Sequence, residues 1–223
     1  MLVLFDLDGT LMRGKGLGRP VTEATISEVF GLNIDLASHW FGGKTDWHSL
    51  EELLIPHGVS ADDIEQKLRD YMDVKVRIMA EMIKTIPMWA LPGALETVQA
   101  LRQRPHLTLG VLTGNVETTA IFKLRSVGFD PEWFPVGAFG HEAVSRNDLP
   151  PIALERAVAY ARREFAPDEV WIVGDTVADI ECARAHNLRV VAVTTGFQSR
   201  EDLIAAKPDY LIDDLRDLLA ILP

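Results

Sequence analysis

The sequence predicts an α/β protein: a Rossmann-like parallel sheet with helices on both faces, plus an inserted all-helical segment. From Pro92 onward, helical and strand patterns alternate along the chain, which is typical of βαβ units in a mostly parallel sheet. Polar residues directly follow several apolar strands, where ligands bind in such folds. A block of helical pattern between residues 20 and 87 breaks the alternation and is therefore expected outside the sheet.

Each predicted element has its own local pattern. The apolar run Met1–Leu4 is typical of a buried strand. The segment 150–163 carries apolar residues at helical spacing, and a helix over 118–126 is closed by Gly128. The other predicted strands are 107–113, 135–139, 169–173, 189–193 and 210–212, and the other helices are the run opened by Pro92-Gly93, 177–186 and one at the C-terminus.

The block that interrupts the alternation indicates helices over 22–30, 46–54 and 60–84. Its start is rich in glycine, at positions 14, 16 and 18, and its end holds Pro87 and Pro92, as expected of a hinged insert. We therefore predict an α/β core of residues 1–14 and 88–223 and a helical cap of residues 15–87.

Composition and charge narrow the function classes. The chain has 223 residues and a net charge of −11, which argues against binding to nucleic acid or to anionic membranes, since both select for basic surfaces. The single cysteine, Cys182, excludes an internal disulfide and a cysteine-rich zinc site. With no basic leader before the first apolar run and no apolar segment of bilayer length, a cytoplasmic protein without a membrane partner is expected. The sequence does not indicate an oligomeric state.

Two carboxylates stand where the first strand ends, in Asp6-Leu7-Asp8-Gly9-Thr10. Side chains at positions i and i+2 of an extended chain point the same way, so Asp6 and Asp8 face one spot. Their repulsion requires a cation or a bound proton, and this geometry suits Mg²⁺ and a phosphate. A plain turn is one alternative. An EF-hand loop is another, but it requires a preceding helix and different residues at the places of Thr10 and Leu11.

Further polar groups follow later strands. Thr113-Gly114-Asn115 comes after one apolar strand and Asp175 after another. Because the carboxyl ends of parallel strands share one edge of the sheet, these groups are expected near Asp6. Taken alone, Thr113 would more often be a polar strand end, but the strand before it and the glycine after it favour a site.

The chain resembles the haloacid-dehalogenase (HAD) superfamily in motifs that occur in the family's order. They are Asp6-Leu7-Asp8-Gly9-Thr10, Thr113-Gly114-Asn115 and Gly174-Asp175-Thr176-Val177-Ala178-Asp179. More narrowly, it is similar to the phosphatase branch with a helical cap inserted after the first strand, which includes phosphoglycolate phosphatase and β-phosphoglucomutase. The first and last motifs are specific, particularly in combination, and the resemblance covers the whole chain.

The resemblance implies a role for each acid. Asp6 would be the nucleophile that forms an aspartyl-phosphate. Asp8 would serve as general acid and then base, which requires a raised pKa that close acidic neighbours could supply. Mg²⁺ would be the cofactor, held by Asp6, by the backbone carbonyl of Asp8 and by Asp175, with Asp179 an outer or alternative ligand.

The resemblance also implies a phosphate-binding loop. Thr113, Asn115 and adjacent backbone N–H groups would hold the phosphoryl oxygens, with Gly114 permitting the close approach. The helix that starts near Glu117 would offer its N-terminal dipole to the anion. The family normally has a basic residue before the helix that precedes the last motif; this window contains no Lys, so Arg146 is the candidate, with a solvated surface Arg as the alternative.

The inserted segment would decide the substrate. Lys44 in Gly42-Gly43-Lys44-Thr45-Asp46 resembles a loop residue that reaches a substrate anion; equally, Thr45 or Asp46 could only cap the next helix. His48, His57 and His141 show no ligand spacing.

The resemblance therefore favours a Mg²⁺-dependent phosphatase that hydrolyses a small phosphorylated metabolite. A phosphomutase or a phosphonate-cleaving relative stays open, because such relatives share Asp6 and differ in the cap. A dehalogenase is disfavoured because that branch lacks the second acid. A non-catalytic module that accepts phosphate would be shorter and would have no cap.

Overall fold

The structure, a computed structural model, describes residues 1–222. The strands in this part of the chain are β1 (Leu2–Phe5), β2 (Met12–Gly14), β3 (Met88–Ala90), β4 (Thr108–Thr113), β5 (Val136–Phe139), β6 (Val170–Gly174), β7 (Arg189–Val193) and β8 (Tyr210–Ile212). The helices are α1 (Gly18–Phe30), α2 (Asp46–Leu54), α3 (Ala61–Met82), α4 (Ala94–Leu101), α5 (Glu117–Ser126), α6 (Leu149–Ala161), α7 (Val177–Ala185), α8 (Arg200–Ala205) and α9 (Leu218–Ile221).

The central sheet confirms the predicted fold class. Among residues 1–222, six strands form one parallel sheet in the order β5-β4-β1-β6-β7-β8. Strand β1 is central and pairs with both β4 and β6. The carboxyl ends of β1, β4 and β6 therefore lie side by side, which places the segments that follow these strands at one edge of the sheet.

Apolar layers cover both faces of the sheet, which explains the unbroken apolar run of β1. Because side chains alternate along a strand, Val3 and Phe5 pack into one core, while Leu2 and Leu4 pack into the other. Helices α4, α5 and α9 contribute to the first core, and helices α6, α7 and α8 to the second. A strand buried on both faces is typical of a parallel sheet between helical layers.

Helices α1, α2 and α3 lie between β2 and β3 and share an apolar cluster that includes Ile26, Leu50 and Tyr71. Strands β2 and β3 pair antiparallel, with Gly14 opposite Met88. The predicted hinge region therefore begins in a short ribbon that the sequence patterns did not indicate. The division into a core and a cap stays a prediction, and Pro223, the last residue of the predicted core, lies outside the described residues.

Apart from strands β2 and β3, most element boundaries lie within two residues of those predicted, with two further departures. Helix α1 begins at Gly18 rather than at residue 22. Helix α8 was not predicted, because six residues are too few to show a helical period, although Ser199 accepts a hydrogen bond from the backbone N–H of Asp202 as an N-cap. None of the helices in residues 1–222 has the length and apolar character to cross a bilayer.

Candidate active site

Three carboxylates meet where β1 and β6 end. Asp6 follows β1, Asp175 follows β6, and Asp179 lies in the first turn of α7. One oxygen from each lies within 4.8 Å of the others, and all three residues are buried, with Asp6 7% exposed. Acids this close and this buried require a compensating positive charge.

Two glycines, Gly9 and Gly196, leave the space that the Asp175 carboxylate occupies. A Cβ atom at Gly9 would lie 2.4 Å from Asp175 Oδ2, and one at Gly196 would lie 1.8 Å from the same atom. Gly9 also has a φ of +93°, which disfavours any other residue. The backbone N–H of Phe197 donates to Asp175 Oδ2 at 3.1 Å. The carboxylate is thus oriented by backbone alone on this side.

Arg146 supplies a positive charge to the cluster. Its Nη2 atom lies 2.5 Å from Asp179 Oδ1 and 3.3 Å from Asp6 Oδ1, and the residue is only 8% exposed. The structure thus places Arg146 inside the site and excludes the alternative of a solvated surface residue. The other Asp179 oxygen accepts hydrogen bonds from the backbone N–H and the hydroxyl of Thr176, so both oxygens of Asp179 have protein partners.

The donor set fits Mg²⁺, which prefers carboxylate oxygens. Burial, opposed in part by Arg146 and reinforced by Asp179, raises the pKa of Asp6 to about 7. Burial, followed by the charges of Asp6 and Asp179, raises the pKa of Asp175 well above its ordinary value. A divalent cation among these oxygens would relieve that repulsion. Asp6 and Asp175 have more free ligand capacity than Asp179, whose oxygens are already paired.

Asp8 belongs to a second polar network, together with Lys123, Asn115 and Thr113. Lys123 Nζ lies 2.5 Å from Asp8 Oδ2 and 2.6 Å from Asn115 Oδ1. The Asn115 amide donates to Asp8 Oδ2 at 2.8 Å and to the Thr113 hydroxyl at 2.9 Å. The end of β4 is therefore tied to the end of β1.

Lys123 is a site residue that the sequence patterns did not reveal. It is 6% exposed and lies on α5, one turn beyond the buried Ala120. A lysine on the apolar face of a helix is rarely buried without a partner. The position of Lys123 on that face of α5 could therefore have indicated a buried, paired lysine. The identity of its partner is not visible in sequence, since Asp8 lies 115 residues away.

The expectation of a raised pKa for Asp8 is wrong in this structure. Burial by itself would raise the pKa of Asp8, but the charge and hydrogen bond of Lys123, together with the Asn115 amide, hold it below its ordinary value. The expectation counted acidic neighbours but did not include this cation. Asp8 is accordingly an ionised carboxylate at neutral pH.

The loop of residues 42–46 packs directly on the end of β4. A Cβ atom at Gly114 would lie 1.9 Å from the Lys44 carbonyl oxygen, and the backbone N–H of Asp46 donates to the Gly114 carbonyl at 2.7 Å. The backbone N–H of Trp47 likewise donates to Gly140. The space that a side chain at Gly114 would fill is therefore taken by the inserted segment, rather than kept for a phosphate as expected.

The N-terminus of α5 already has an anionic partner. Asp46 Oδ2 accepts a hydrogen bond from the backbone N–H of Val116 at 2.9 Å, just before the helix begins at Glu117. Asp46 Oδ1 lies 2.7 Å from Lys75 Nζ, and Lys75 is 3% exposed. At the Val116 N–H, the anion at this helix end is therefore the Asp46 carboxylate of the protein itself.

We expect Lys75→Met to destabilise the protein strongly, because it leaves the Asp46 carboxylate buried beside an apolar side chain. Breaking a buried ion pair from one side typically costs about 3–5 kcal/mol. Urea unfolding curves give the free energy of unfolding. The matched control is Lys84→Met, which removes the exposed pair with Glu81 and should cost less than about 1 kcal/mol. Equal losses of unfolding free energy in the two variants would show that the buried ion pair stabilises the protein no more than the exposed one.

Lys44 has a carboxylate partner in the structure. Its Nζ lies 2.5 Å from Glu52 Oε2, although Lys44 lines the same cavity as Asp6 and Asp8. Thr45 is the N-cap of α2, since its hydroxyl accepts the backbone N–H of His48 at 3.0 Å. The helix-capping alternative therefore applies to Thr45, while Asp46 bridges to Val116 and Lys75 instead.

A cavity of about 380 Å³ lies above the acids. It is bounded by the ends of β1 and β4 below and by the inserted helices above. Of the residues predicted from sequence, those that line it are Asp6, Asp8, Lys44, Thr113, Gly114, Asn115 and Arg146. Asp175 and Asp179 lie beneath this lining, beside Asp6. The cavity therefore brings together predicted acids, the segment 113–115 that is predicted to bind phosphate, and the inserted segment.

Comparisons with known proteins agree with this arrangement. A family model described as HAD-hyrolase-like matches residues 148–218. A phosphoglycolate phosphatase from Synechococcus elongatus is 35% identical over 144 residues, which are 64% of this chain and 64% of that protein, just under two thirds of its length. The pyrophosphatase PpaX from Bacillus pumilus is 26% identical over 98% of this chain and 94% of its own length.

Solved structures share the fold. A haloacid dehalogenase-like family hydrolase from Streptococcus pneumoniae has a TM-score of 0.65 at 21% identity, covering 100% of this chain and 98% of its own. A hydrolase from Pseudomonas syringae has a TM-score of 0.70 at 20% identity, covering 99% and 96%. At these identities the likeness concerns the fold alone.

Proposed function

We propose that this protein hydrolyses a small phosphate monoester with Mg²⁺ through an aspartyl-phosphate. The proposal starts from the family, since the chain belongs to the phosphatase branch of the haloacid-dehalogenase-like hydrolases. The observation that carries the proposal is the meeting of Asp6, Asp175 and Asp179 around one point beside Arg146. That arrangement combines a nucleophile, oxygen ligands for a hard cation and a fixed positive charge, as phosphoryl transfer requires.

Asp6 is the proposed nucleophile. One of its carboxylate oxygens attacks phosphorus, the bond from phosphorus to the ester oxygen breaks, and the alcohol departs with the bonding electron pair. Water then attacks the phosphorus of the aspartyl-phosphate, which releases inorganic phosphate and restores Asp6. Arg146, 3.3 Å from Asp6, is placed to stabilise the charge that develops on the phosphoryl oxygens.

Asp8 is proposed to move the protons. It gives a proton to the departing oxygen in the first step and takes one from the attacking water in the second. Because Asp8 is ionised when paired with Lys123, the first step requires that this pair loosen as substrate binds. We propose that the Lys123 ammonium turns toward the phosphoryl oxygens, so that Asp8 takes from solvent the proton that it then gives to the departing oxygen.

Thr113 and Asn115 are the proposed phosphate-binding side chains. The Thr113 hydroxyl accepts a hydrogen bond from Asn115, which leaves its own proton available to a phosphoryl oxygen. Gly114 keeps this loop in contact with the inserted segment, so we assign it the supporting role of bringing Lys44 to the cavity. Lys44 would reach a substrate anion only by leaving Glu52.

Mg²⁺ would be held by Asp6, Asp175 and the backbone carbonyl of Asp8, with Asp179 as an outer or alternative ligand oriented by Arg146. When bound, it would neutralise the acids and polarise the phosphoryl group. Residues 15–87 are proposed as a cap over a core of residues 1–14 and 88–223. The backbone hydrogen bonds from Asp46 to Gly114 and from Trp47 to Gly140 support a contact between the two.

A panel of phosphate monoesters, assayed with Mg²⁺ and with the metal removed by EDTA, tests the proposal. We expect release of inorganic phosphate with Mg²⁺ and a loss of at least about 100-fold without it, since a Lewis acid supplies several kcal/mol in such sites. Conversion of a substrate to an isomer without free phosphate would indicate a mutase instead. Equal rates with and without the metal would contradict the proposal.

A further inference from the structure

A loop that follows β7 borders the acid cluster. Residues 195–197 lie between β7 and α8, and two of them contact Asp175. The backbone N–H of Phe197 donates to Asp175 Oδ2 at 3.1 Å. Gly196 approaches the same carboxylate so closely that a Cβ atom there would lie 1.8 Å from Oδ2. The orientation of this proposed metal ligand therefore depends on where the 195–197 loop lies.

Arg13 of β2 contacts the same two loop residues. Its Nη2 atom donates to the Gly196 carbonyl at 2.7 Å. Its guanidinium carbon lies 4.7 Å from the centre of the Phe197 ring, which is within the range of a cation–π contact. Phe197 is 55% exposed, so its ring is not held by a buried core. Arg13 therefore helps to decide where this ring and its backbone lie.

The partners of Arg13 are a neutral carbonyl and a ring rather than a carboxylate. Its Nε atom is buried and has no hydrogen-bond partner among residues 1–222. A buried donor without a partner costs stability, so full satisfaction of its donors does not explain the placement of this side chain. Its contacts with the 195–197 loop do explain it.

A second contact connects the loop to the turn between β1 and β2. The Thr195 hydroxyl donates to the Gly9 carbonyl at 2.8 Å, and Gly9 is the other glycine that borders Asp175. The Gly9 N–H in turn donates to the carbonyl of Met12 at 2.7 Å, the residue before Arg13. The turn, the start of β2 and the 195–197 loop thus surround one carboxylate with mutual contacts.

We propose that Arg13 is a positioning residue for the metal site: by holding the 195–197 loop, it keeps the Asp175 carboxylate oriented to bind the divalent cation. The inference rests on the proposed function, in which Asp175 is a ligand of Mg²⁺. Groups that orient a metal ligand typically contribute about 10–100-fold to metal affinity. The charge of Arg13 acts in the opposite direction, because a nearby cation repels Mg²⁺. The two effects therefore predict opposite results when Arg13 is replaced.

Mg²⁺ binding without substrate, measured by isothermal titration calorimetry, tests the role of Arg13. Methionine keeps an apolar stem but makes neither contact, so we expect Arg13→Met to raise the Kd for Mg²⁺ by about 10–100-fold. The Mg²⁺ concentration that gives half the maximal phosphatase rate should rise in parallel, while kcat at saturating Mg²⁺ stays close to that of the wild type. Arg13→Lys keeps the charge and a donor, and should restore part of the affinity. Asp175→Asn identifies the heat that comes from this site.

Arg163→Met is the matched control. Arg163 also donates to a backbone carbonyl, that of Glu164 at 2.9 Å, and its guanidinium carbon lies 4.1 Å from the centre of the Phe165 ring. It precedes β6, whereas Asp175 follows that strand. We expect this variant to leave the Kd for Mg²⁺ within about twofold of the wild type. Thermal melts of the metal-free proteins check that both variants fold.

Phe197→Leu tests whether Arg13 acts through the loop. Leucine keeps the backbone N–H that donates to Asp175 but removes the ring that the guanidinium contacts, so the Kd for Mg²⁺ should rise about two- to fivefold. In the double variant with Arg13→Met the two effects should be less than additive, because both remove the same contact. Additive effects would show that Arg13 does not act through Phe197. If Arg13→Met does not fold, an unchanged Kd in Phe197→Leu would itself contradict the positioning role.

The outcomes distinguish the two proposals. If the wild type neither binds Mg²⁺ at this site nor hydrolyses an ester, the proposed function fails, and the inference fails with it. If the wild type does both, but folded Arg13→Met binds Mg²⁺ as tightly as the wild type or more tightly, the phosphatase stands and the positioning role is overturned. A loss of affinity as large in Arg163→Met would also overturn it.

Discussion

Asp6→Asn is expected to abolish Mg²⁺-dependent hydrolysis of p-nitrophenyl phosphate while the protein stays folded. The amide cannot form the aspartyl-phosphate, so kcat should fall by roughly 10⁴-fold or more, as for loss of a nucleophile elsewhere. Stability should hold or rise, because Asp6 is buried beside Asp175 and Asp179, whose charges it repels. Turnover by phosphate release and thermal melting measure the two effects.

Asp62→Asn is the matched control for this prediction. Asp62 is an exposed acid in the first turn of α3, so the same substitution there should leave kcat within about twofold. Trapping of radiolabelled phosphate on wild-type protein, and its absence on Asp6→Asn, would identify the covalent step. Near-normal turnover by Asp6→Asn would exclude Asp6 as the nucleophile.

Arg146→Ala is expected to reduce kcat by about 10²–10³-fold, the typical loss when one fixed contact to transition-state charge is removed. The variant also leaves the Asp179 carboxylate buried without its cation, which should cost about 3–5 kcal/mol of unfolding free energy. Rates are therefore compared at temperatures where melting shows the variant to be folded.

Two further variants separate the catalytic effect of the Arg146 charge from the general effect of replacing an arginine. Arg146→Lys keeps the charge, but the lysine lacks the guanidinium Nη2 atom that contacts both Asp6 and Asp179, so an intermediate rate is expected. Arg156→Ala removes an arginine whose ion pair with Glu142 is partly exposed, and should change kcat by less than twofold, or about 0.4 kcal/mol. A change below twofold in Arg146→Ala itself would remove Arg146 from the catalytic site.

The positions of most strands and helices could be predicted from the sequence, because the patterns that predict them are local. Strands β7 and β8 and helix α2 occur at the predicted residues, since apolar periodicity and capping act over a few neighbouring positions. The short elements were missed for the same reason: β2, β3 and α8 contain from three to six residues, too few to establish a period.

The place of the acids at the sheet edge also followed from sequence. Parallel strands present their carboxyl ends together, so Asp6 and Asp175 were expected to be neighbours although 169 positions separate them in the numbering. The expectation needed only the strand order implied by βαβ connections. No side-chain contact had to be known in advance.

By itself, the sequence determined the fold class, the segments that end at the site and the acids those segments carry, because each depends on local pattern or on the direction of strands. The tertiary structure alone decided which charges are paired. Lys123 reaches Asp8, and Lys75 reaches Asp46, across distances along the chain that no local pattern encodes. These pairings reverse the expected pKa of Asp8 and occupy the N-terminus of α5, because the charge nearest in space, rather than in sequence, governs the energy of a buried group.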